Sequence, residues 1–393
     1  MQSIAAQPSN QLRQDQGSQQ LISLLVAMLA RITMEEADIA IIQAAVAQGA
    51  VKLLRSLFDV MSSEGGQQNL VSMLWHWSSQ NSSMRQQVMD SGIAELQVSL
   101  LGLQHSPVQR QTAADQLSAY VSFPEQQQSS NQQPDSRLAE DLVHAGAPMA
   151  LIEMLSNTYH ELVRCSAANA IATLATFSPM SKLKIIAAGA YHPVVGMMGQ
   201  SEPSSVREMG AVLMVTLSTG DPRDGPVFTQ TEAVVQFAAI GAVPAVAEML
   251  DPVNEPSTRI MAIQALQVMA SAFDDRVQKA LISAQVMPML LDLLRVLSGR
   301  LAWDSSLDEL QQPTIIGMKL KSAEILASIA INNKEHTRLL VELGVVPELI
   351  VVASDTDVPE EDREPVMRML HHLCQTDQDV FAILNAMMSE SNA

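Results

Sequence analysis

The chain has 393 residues, of which 47% are hydrophobic and only 3% aromatic, so its core must be built from Ala, Val, Ile, Leu and Met. Because Ala, Leu and Met favour helices, the composition predicts a helical protein. Its 23 basic and 42 acidic residues give a net charge of −19. This balance argues against direct binding of nucleic acid or anionic membranes, since both require basic surfaces.

The amino terminus and the cysteines indicate the cellular compartment. Residues 1–20 are rich in Gln and nearly uncharged, and they are predicted to form a disordered tail. The apolar run at residues 21–30 is too short to span a membrane, and no basic segment precedes it as in a signal peptide. Cys165 and Cys374 are too few for a disulfide framework. We therefore expect a protein of the cytoplasm, or also of the nucleus, without membrane insertion.

A helix-ending residue recurs along the chain, each time after an apolar helical stretch and before small or apolar residues and often Pro. The separations are 43, 54, 43, 52, 44 and 59 residues, for the positions Gly49, Gly92, Gly146, Gly189, Gly241, Gln285 and Gly344. Gly after a helix adopts the left-handed conformation that ends it, and Pro fits the first turn of the next helix. The pattern predicts two short helices that meet at a sharp corner, followed by a longer third helix. Gln285 is expected to turn differently, because this conformation is strained for a residue with a Cβ.

Three insertions enlarge the unit of about 43 residues, near residues 122–136, 219–230 and 298–313. The first is a Gln- and Ser-rich segment for which we expect disorder. The third contains Trp303 among several leucines. We expect this segment to fold back onto its own helices; the alternative is that Trp303 is an aromatic anchor for a partner.

The repeated pattern resembles that of armadillo repeat proteins over residues 21–390. Residues 241–250 (GAVPAVAEML) and 265–270 (ALQVMA) resemble the second and third helices of that family. The resemblance implies an all-α, right-handed armadillo-type solenoid over residues 21–393. A half repeat, seven three-helix repeats and a final helix near 377–388 would form it, with the first and last pieces as caps. HEAT repeats, with two helices per unit, are the alternative, but the regular Gly-then-Pro corner favours armadillo repeats.

No pattern in the sequence indicates catalysis or metal binding. The motifs of zinc proteases, serine hydrolases and P-loop proteins are absent. His371, His372 and Cys374 point in different directions on one helix, and residues 355–364 lack the Gly of a calcium loop. We therefore expect no enzyme activity, catalytic residue, metal or cofactor.

The resemblance implies that the third helices line a concave groove. The positions at which the family often carries a peptide-clamping Asn hold no Asn here, and four residues earlier no Trp of the importin-α type is present. An importin-α role is therefore not expected. We expect one of Trp75 and Trp77 to lie in the core and the other to be exposed at the groove. The candidate groove residues are Ser72, His76, Asp115, Asn169, Thr173, Glu208, Thr216, Gln264, Glu324, Ser328, Arg368 and His372.

The function implied by this resemblance is that of a non-catalytic scaffold that binds a protein or an extended peptide along its groove. Residues 201–393 carry 13 basic and 27 acidic residues, a net charge of −14. This favours a basic or neutral partner, and we expect the chain itself to be a monomer. The alternatives are an armadillo-type regulator of heat-shock chaperones and a substrate-binding subunit of a ubiquitin ligase.

Overall fold

The computed structural model describes residues 16–35, 39–80, 82–122, 136–219, 230–299, 301, 307, 310–331, 333–355, 358–376 and 378–391. The chain divides into two compact units, Met1–Gly189 (unit 1) and Ala190–Ala393 (unit 2). The described residues of both units form α-helices and no β-strand.

The described residues of unit 1 form eleven helices. They are α1 Gln16–Glu35, α2 Ile39–Ala47, α3 Ala50–Phe58, α4 Glu64–Ser78, α5 Ser82–Asp90, α6 Ile93–Leu100, α7 Pro107–Ser122, α8 Ser136–His144, α9 Ala147–Met154, α10 Glu161–Phe177 and α11 Pro179–Ala187.

The described residues of unit 2 form twelve helices. They are α12 Tyr191–Met197, α13 Ser204–Ser218, α14 Gln230–Ala239, α15 Ala242–Glu248, α16 Pro256–Ala270, α17 Asp275–Ser283, α18 Val286–Leu297, α19 Gln312–Ala330, α20 Lys334–Glu342, α21 Val345–Ala353, α22 Glu360–Thr376 and α23 Gln378–Ser391.

The helices follow the predicted order of two short helices and one long helix. After α1, which corresponds to a third helix, seven such triplets run from α2 to α22, and α23 ends the series. The predicted tail boundary is wrong, because α1 begins at Gln16. Gln19 is buried there, its amide donates to the Val60 carbonyl at 2.8 Å, and its oxygen accepts from the Ser62 amide at 2.8 Å. The Gln-rich start of the helix can therefore pack, because both the nitrogen and the oxygen of the buried Gln19 amide have hydrogen-bond partners.

The residue at the corner between first and second helices has the same type of backbone conformation at every predicted position. It is left-handed at Gly49, Gly92, Gly146, Gly189, Gly241, Gln285 and Gly344. The expectation that the Gln285 corner turns differently is wrong: its φ is 57°, and α17 and α18 meet at 67°, close to the 76° of α2 and α3. The strain of about 1–2 kcal/mol is outweighed by the apolar face that α18 buries. Among the described residues, no single helix is long and apolar enough to cross a membrane. In three pairs of consecutive helices, the two helices reach that length and apolar character when they are counted together, but each pair is bent at a short break.

A buried basic residue stands near the start of most third helices. Arg110 donates from Nε to the Leu101 carbonyl at 2.7 Å, and Arg164 donates in the same way to Leu155 at 3.1 Å. Both acceptors lie at the end of the second helix of the same repeat. The recurring positions are Arg110, Arg164, Arg207, Arg259 and Lys319, all less than 9% exposed, and the half-buried Arg363.

A small residue follows each of the five buried cations three positions later. The set is Ala113, Ala167, Gly210, Ala262 and Ser322, and all are buried. At Gly210 the second helix α12 comes so close that an added Cβ would lie 2.9 Å from the Met197 Cβ and from the Met198 Cγ. The small side chain therefore sets how closely the second helix packs on the third.

The three insertions lie largely outside the described residues, and so does Trp303. α7 ends at Ser122 and α8 begins at Ser136, on either side of the first insertion. In the third insertion, Leu307 is fully buried whereas Leu301 is 44% exposed. The burial of Leu307 agrees with the expectation that this segment folds back onto its own helices.

Replacement of Gly210 by Ala should destabilise the protein, although Gly to Ala usually stabilises a helix by about 1 kcal/mol. The new methyl group would meet the Met197 Cβ, which cannot move without the backbone of α12, and we expect a loss of about 1–3 kcal/mol. Urea denaturation followed by circular dichroism measures it.

Gly317→Ala in α19 is the matched control, because nothing lies within 4 Å of the position of its Cβ. It should stabilise the protein by about 0.5–1 kcal/mol. Equal effects of the two substitutions would contradict the close approach of α12 to α13.

Candidate functional site

The third helices form a row in each unit, because neighbouring third helices pack on one another. In unit 1, α1 packs on α4, α4 on α7 and α7 on α10; in unit 2, α13 packs on α16, α16 on α19 and α19 on α22. We call the side of each row that carries the candidate residues the third-helix face of that unit.

On unit 1, a polar network joins α4 to α7 beneath this face. The Gln68 amide donates to the Gln116 oxygen, and the Gln116 amide donates to the Ser72 hydroxyl at 2.7 Å. Further along, Glu64 accepts from the amide and the hydroxyl of Ser106 at 3.0 and 2.8 Å, and these hydrogen bonds lower the pKa of Glu64. The candidate residue Ser72 is thus engaged within the protein.

Two tryptophans of α4 lie inside unit 1 and not on its face. Trp75 and Trp77 are 2% and 4% exposed, so the expectation that one of them reaches the groove is wrong. Trp75 stacks on Tyr120 with ring centroids 4.8 Å apart and donates from its indole to Gln97 at 2.9 Å. Burial raises the pKa of Tyr120 to about 12. The polar partner of Trp75 explains how so large an aromatic group is accommodated.

Two candidate residues of unit 1 are exposed on neighbouring helices, namely Asp115 on α7 and Asn169 on α10. Thr173 is half-buried, and its hydroxyl donates to the Asn169 carbonyl of its own helix at 2.9 Å. His76 is half-buried and lies 3.2 Å from the Gln80 amide. Asp115 and Asn169 are therefore the most exposed candidate residues on this face.

On unit 2, two half-buried candidate carboxylates are held by neutral donors. Glu208 on α13 accepts from the hydroxyls of Ser257 and Thr258 on α16, each at 2.7 Å. Glu324 on α19 accepts from the Gln267 amide at 2.9 Å. Among the described residues, no basic nitrogen lies within 4.0 Å of either carboxylate, so neither forms an ion pair.

Burial raises the pKa of Glu324, although the hydrogen bond from Gln267 and the charge of Lys321 partly oppose this effect. Loss of water disfavours the charged form of a carboxyl group, and a neutral amide donor compensates only in part. Glu324 is therefore a carboxylate whose negative charge is incompletely stabilised by its own protein.

The remaining candidate residues of unit 2 differ in exposure. Gln264 is half-buried, and the half-buried Thr216 donates its hydroxyl to the Val212 carbonyl at 2.9 Å. Arg368 is exposed and lies 3.8 Å from Glu364 on its own helix, while His372 is half-buried.

Ser328 requires a correction, because it is only 5% exposed. Its hydroxyl lies 3.9 Å from the Met369 sulfur on the next third helix, so it cannot contact a partner. The loop candidate Trp303 lies outside the described residues. No group of three His, Cys, Asp or Glu side chains within the described part of the chain could hold a metal ion.

The buried cations of the third helices were not among the residues predicted from the sequence. Their signal was present as a basic residue followed three positions later by Ala, Gly or Ser, repeated from Arg110 to Lys319. The buried cation marks the side of each third helix that faces the protein interior. The open side of the helix lies opposite.

Solved structures with the same arrangement are designed armadillo repeat proteins. One matches with a TM-score of 0.54 at 21% identity, over 71% of this chain and 99% of that chain. The fold of this protein is that of an armadillo solenoid. A second designed armadillo repeat protein, in complex with the peptide (KR)4, matches with a TM-score of 0.53 at 20% identity, over 71% of this chain and 99% of that chain.

An engineered protein also matches this chain, with a TM-score of 0.56 at 21% identity, over 72% of this chain and 96% of that chain. No protein-family model matches the sequence, and no curated protein matches it either. At these identities the likeness shows the fold alone.

Glu324→Gln should stabilise the protein at neutral pH and not in acid. The pKa of Glu324 in the folded protein lies above the ordinary 4.5, so the folded state binds its proton more tightly than the unfolded chain does. Its contribution to stability is therefore complete below the ordinary pKa and is lost as pH rises through the raised pKa. The amide removes this loss and still accepts from Gln267.

Melting temperatures measured between about pH 4 and pH 7 test this expectation. The variant should melt higher than the unmodified protein at pH 7, and the difference should shrink towards pH 4. Glu335→Gln on the exposed side of α20 is the control and should not raise the melting temperature at pH 7. A variant less stable than the unmodified protein at pH 7 would contradict the burial argument.

Proposed function

We propose that this armadillo solenoid is a non-catalytic binding protein that holds a basic or neutral segment of a partner protein on the third-helix face of unit 2. The observation that carries the proposal is the pair Glu208 and Glu324. Both carboxylates are half-buried, and both accept hydrogen bonds from neutral donors only.

The chemistry of these carboxylates favours a cationic partner group. A partly desolvated carboxylate that forms no ion pair has lost part of its hydration without a direct cationic partner in return. A Lys or Arg side chain supplied by a partner would restore that charge balance. Residues 201–393 carry a net charge of −14, which would also attract basic segments from a distance.

Two of the similar structures support a peptide as the partner. One is described as a set of computationally designed armadillo repeat proteins for modular peptide recognition, and the other holds the basic peptide (KR)4. Their third helices are built on the same fold as those of this chain. An extended peptide is the simplest ligand for such a row of helices, because its side chains can reach successive helices in turn.

We place this function in the cytoplasm or nucleus. The chain has only two cysteines, Cys165 and Cys374, and such scarcity is usual for proteins of reducing compartments. The absence of catalytic motifs in the sequence favours a scaffold over an enzyme.

The test uses the peptide (KR)4 as the probe and isothermal titration calorimetry as the measurement. We expect the unmodified protein to bind it with an affinity that falls as salt concentration rises. The double variant Glu208→Gln, Glu324→Gln should bind about tenfold more weakly, which corresponds to about 1.4 kcal/mol.

The matched control is the double variant Glu232→Gln, Glu335→Gln, which changes the net charge equally. Both residues are exposed on first helices, α14 and α20, and should leave the affinity unchanged. If both double variants weaken binding equally, attraction is nonspecific and the assignment to the face is wrong. No binding of (KR)4 at low salt would reject the basic preference.

A further inference from the structure

The two candidate carboxylates of unit 2 each have one oxygen atom that is already occupied. Glu208 Oε1 accepts from both the Ser257 and the Thr258 hydroxyl, each at 2.7 Å. Glu324 Oε2 accepts from the Gln267 amide at 2.9 Å. Among the described residues, no hydrogen bond reaches Glu208 Oε2 or Glu324 Oε1. Each carboxylate therefore offers one fully open oxygen atom to a partner.

The two occupied oxygen atoms differ in the capacity that they retain. A carboxylate oxygen has two lone pairs and can accept two hydrogen bonds. Both lone pairs of Glu208 Oε1 are in use, whereas Glu324 Oε2 accepts one hydrogen bond and retains one lone pair. A ligand that needs both oxygen atoms is therefore opposed most strongly at Glu208.

Arg is such a ligand, and Lys is not. The guanidinium group binds a carboxylate best when its two parallel N–H groups donate to both oxygen atoms. The Lys ammonium is a compact charge that needs only one acceptor. With Glu208 Oε1 filled by Ser257 and Thr258, the paired geometry of Arg is blocked, and a Lys ammonium can still bind Oε2.

The third helices of unit 2 also lack the aromatic rings on which Arg stacks. None of α13, α16, α19 and α22 contains Phe, Tyr or Trp. Stacking on an aromatic face is the second advantage of a planar guanidinium over an ammonium. These helices therefore provide no such contact for an Arg side chain.

The remaining advantage of Arg is its weaker hydration, which matters most for fully buried ion pairs. Glu208 and Glu324 are only half-buried. A Lys ammonium that binds either open oxygen atom can therefore keep part of its water. Half-burial thus reduces the cost of desolvation that disfavours Lys in a protein interior.

We propose that the third-helix face of unit 2 selects Lys over Arg in its partner segment. The inference rests on the proposed function and adds the chemical identity of the partner group. Ser257, Thr258 and Gln267 are the positioning residues that determine this specificity, because they occupy one oxygen atom of each carboxylate and leave the other open.

The test compares octalysine with octaarginine by isothermal titration calorimetry at low salt. Both peptides have the length and the number of charges of (KR)4, so general attraction to an acidic protein is matched. A hydrogen bond that Arg cannot form should make octaarginine bind at least about threefold more weakly than octalysine. The quantity measured is the ratio of the two dissociation constants, octaarginine over octalysine.

The double variant Ser257→Ala, Thr258→Val frees Glu208 Oε1 and should lower this ratio at least about threefold. Gln267→Met frees Glu324 Oε2 and should lower the ratio less, since that oxygen already retains one lone pair. Both peptides are measured on the same variant, so a general change in stability or affinity does not alter the ratio.

Thr337→Val on α20 is the matched control for Thr258→Val. Thr337 and Thr258 are 2% and 0% exposed, and the Thr337 hydroxyl donates to the Ala330 and Asn333 carbonyls at 3.3 and 3.0 Å. Its removal should leave the ratio unchanged. If circular dichroism shows that the double variant does not fold, Ser257→Ala alone replaces it. Ser257 is exposed, and its removal should shift the ratio in the same direction.

The outcomes separate this inference from the proposed function. If neither peptide binds at low salt, the proposed function itself fails. If octaarginine binds as tightly as octalysine or more tightly, the preference for Lys is wrong and the binding function stands. A preference for octalysine that the double variant, or Ser257→Ala in its place, leaves unchanged would show that the neutral donors do not determine it.

Discussion

The cation buried near the start of a third helix is the interaction on which the stacking of repeats depends. Arg110 binds the Leu101 carbonyl of its own second helix, and it also donates to the Tyr159 hydroxyl and pairs with Glu153 of the next repeat. Its guanidinium lies 4.9 Å from the centroid of the Tyr159 ring. One side chain therefore joins three elements: its own second helix, its third helix and the following repeat.

The same connection recurs in unit 2 with other chemistry. Arg207 donates to the Asn254 side chain at 2.7 Å, and Lys319 pairs with Asp355. Asn254 and Asp355 both lie between the second and third helices of the next repeat. Burial lowers the pKa of Arg207, which shows the cost of placing a cation there. Rotation of one repeat against the next would break these contacts and leave a buried cation without its partner, which costs several kcal/mol. Such a rotation is therefore strongly opposed.

The buried cation also fixes which side of each third helix is open. Successive residues of a helix turn by about 100°, so a residue five positions later points about 140° away from the cation. Counted from Arg110, Arg164 and Lys319, that position holds Asp115, Asn169 and Glu324 respectively. Two of the three are exposed and the third is half-buried. The candidate face is thus a consequence of the way in which the cation is buried.

Local signals were sufficient to predict most of the fold. The left-handed corners and the Pro residues that follow them depend on backbone conformation alone, so the order of short, short and long helices could be read from sequence. Gln285 was misjudged because the strain of one residue is small beside the burial of a whole apolar helix. The start of α1 was misjudged because Gln19 finds its hydrogen-bond partners at Val60 and Ser62, far along the chain.

The candidate site was harder to predict, because exposure depends on the neighbouring helix. The resemblance to armadillo repeats implied that Asp115 and Asn169 lie on one face, but it could not show that Met369 would lie against Ser328. It also could not show that Gln97 would provide a buried partner for the Trp75 indole. Both depend on side chains from other helices, which a periodic pattern within one helix does not contain.

The two third-helix faces differ in what they leave for a partner. In unit 1, Gln68, Gln116 and Ser72 satisfy one another, so a partner gains little by displacing them. In unit 2, Glu208 and Glu324 accept hydrogen bonds from neutral donors only, and the charge of Lys321 opposes only part of the effect of burial on Glu324. A hydrogen-bonding group contributes to binding when the free protein leaves it incompletely satisfied. For this reason the specificity of the armadillo solenoid is expected to reside in unit 2, while the network of unit 1 holds its third helices in register.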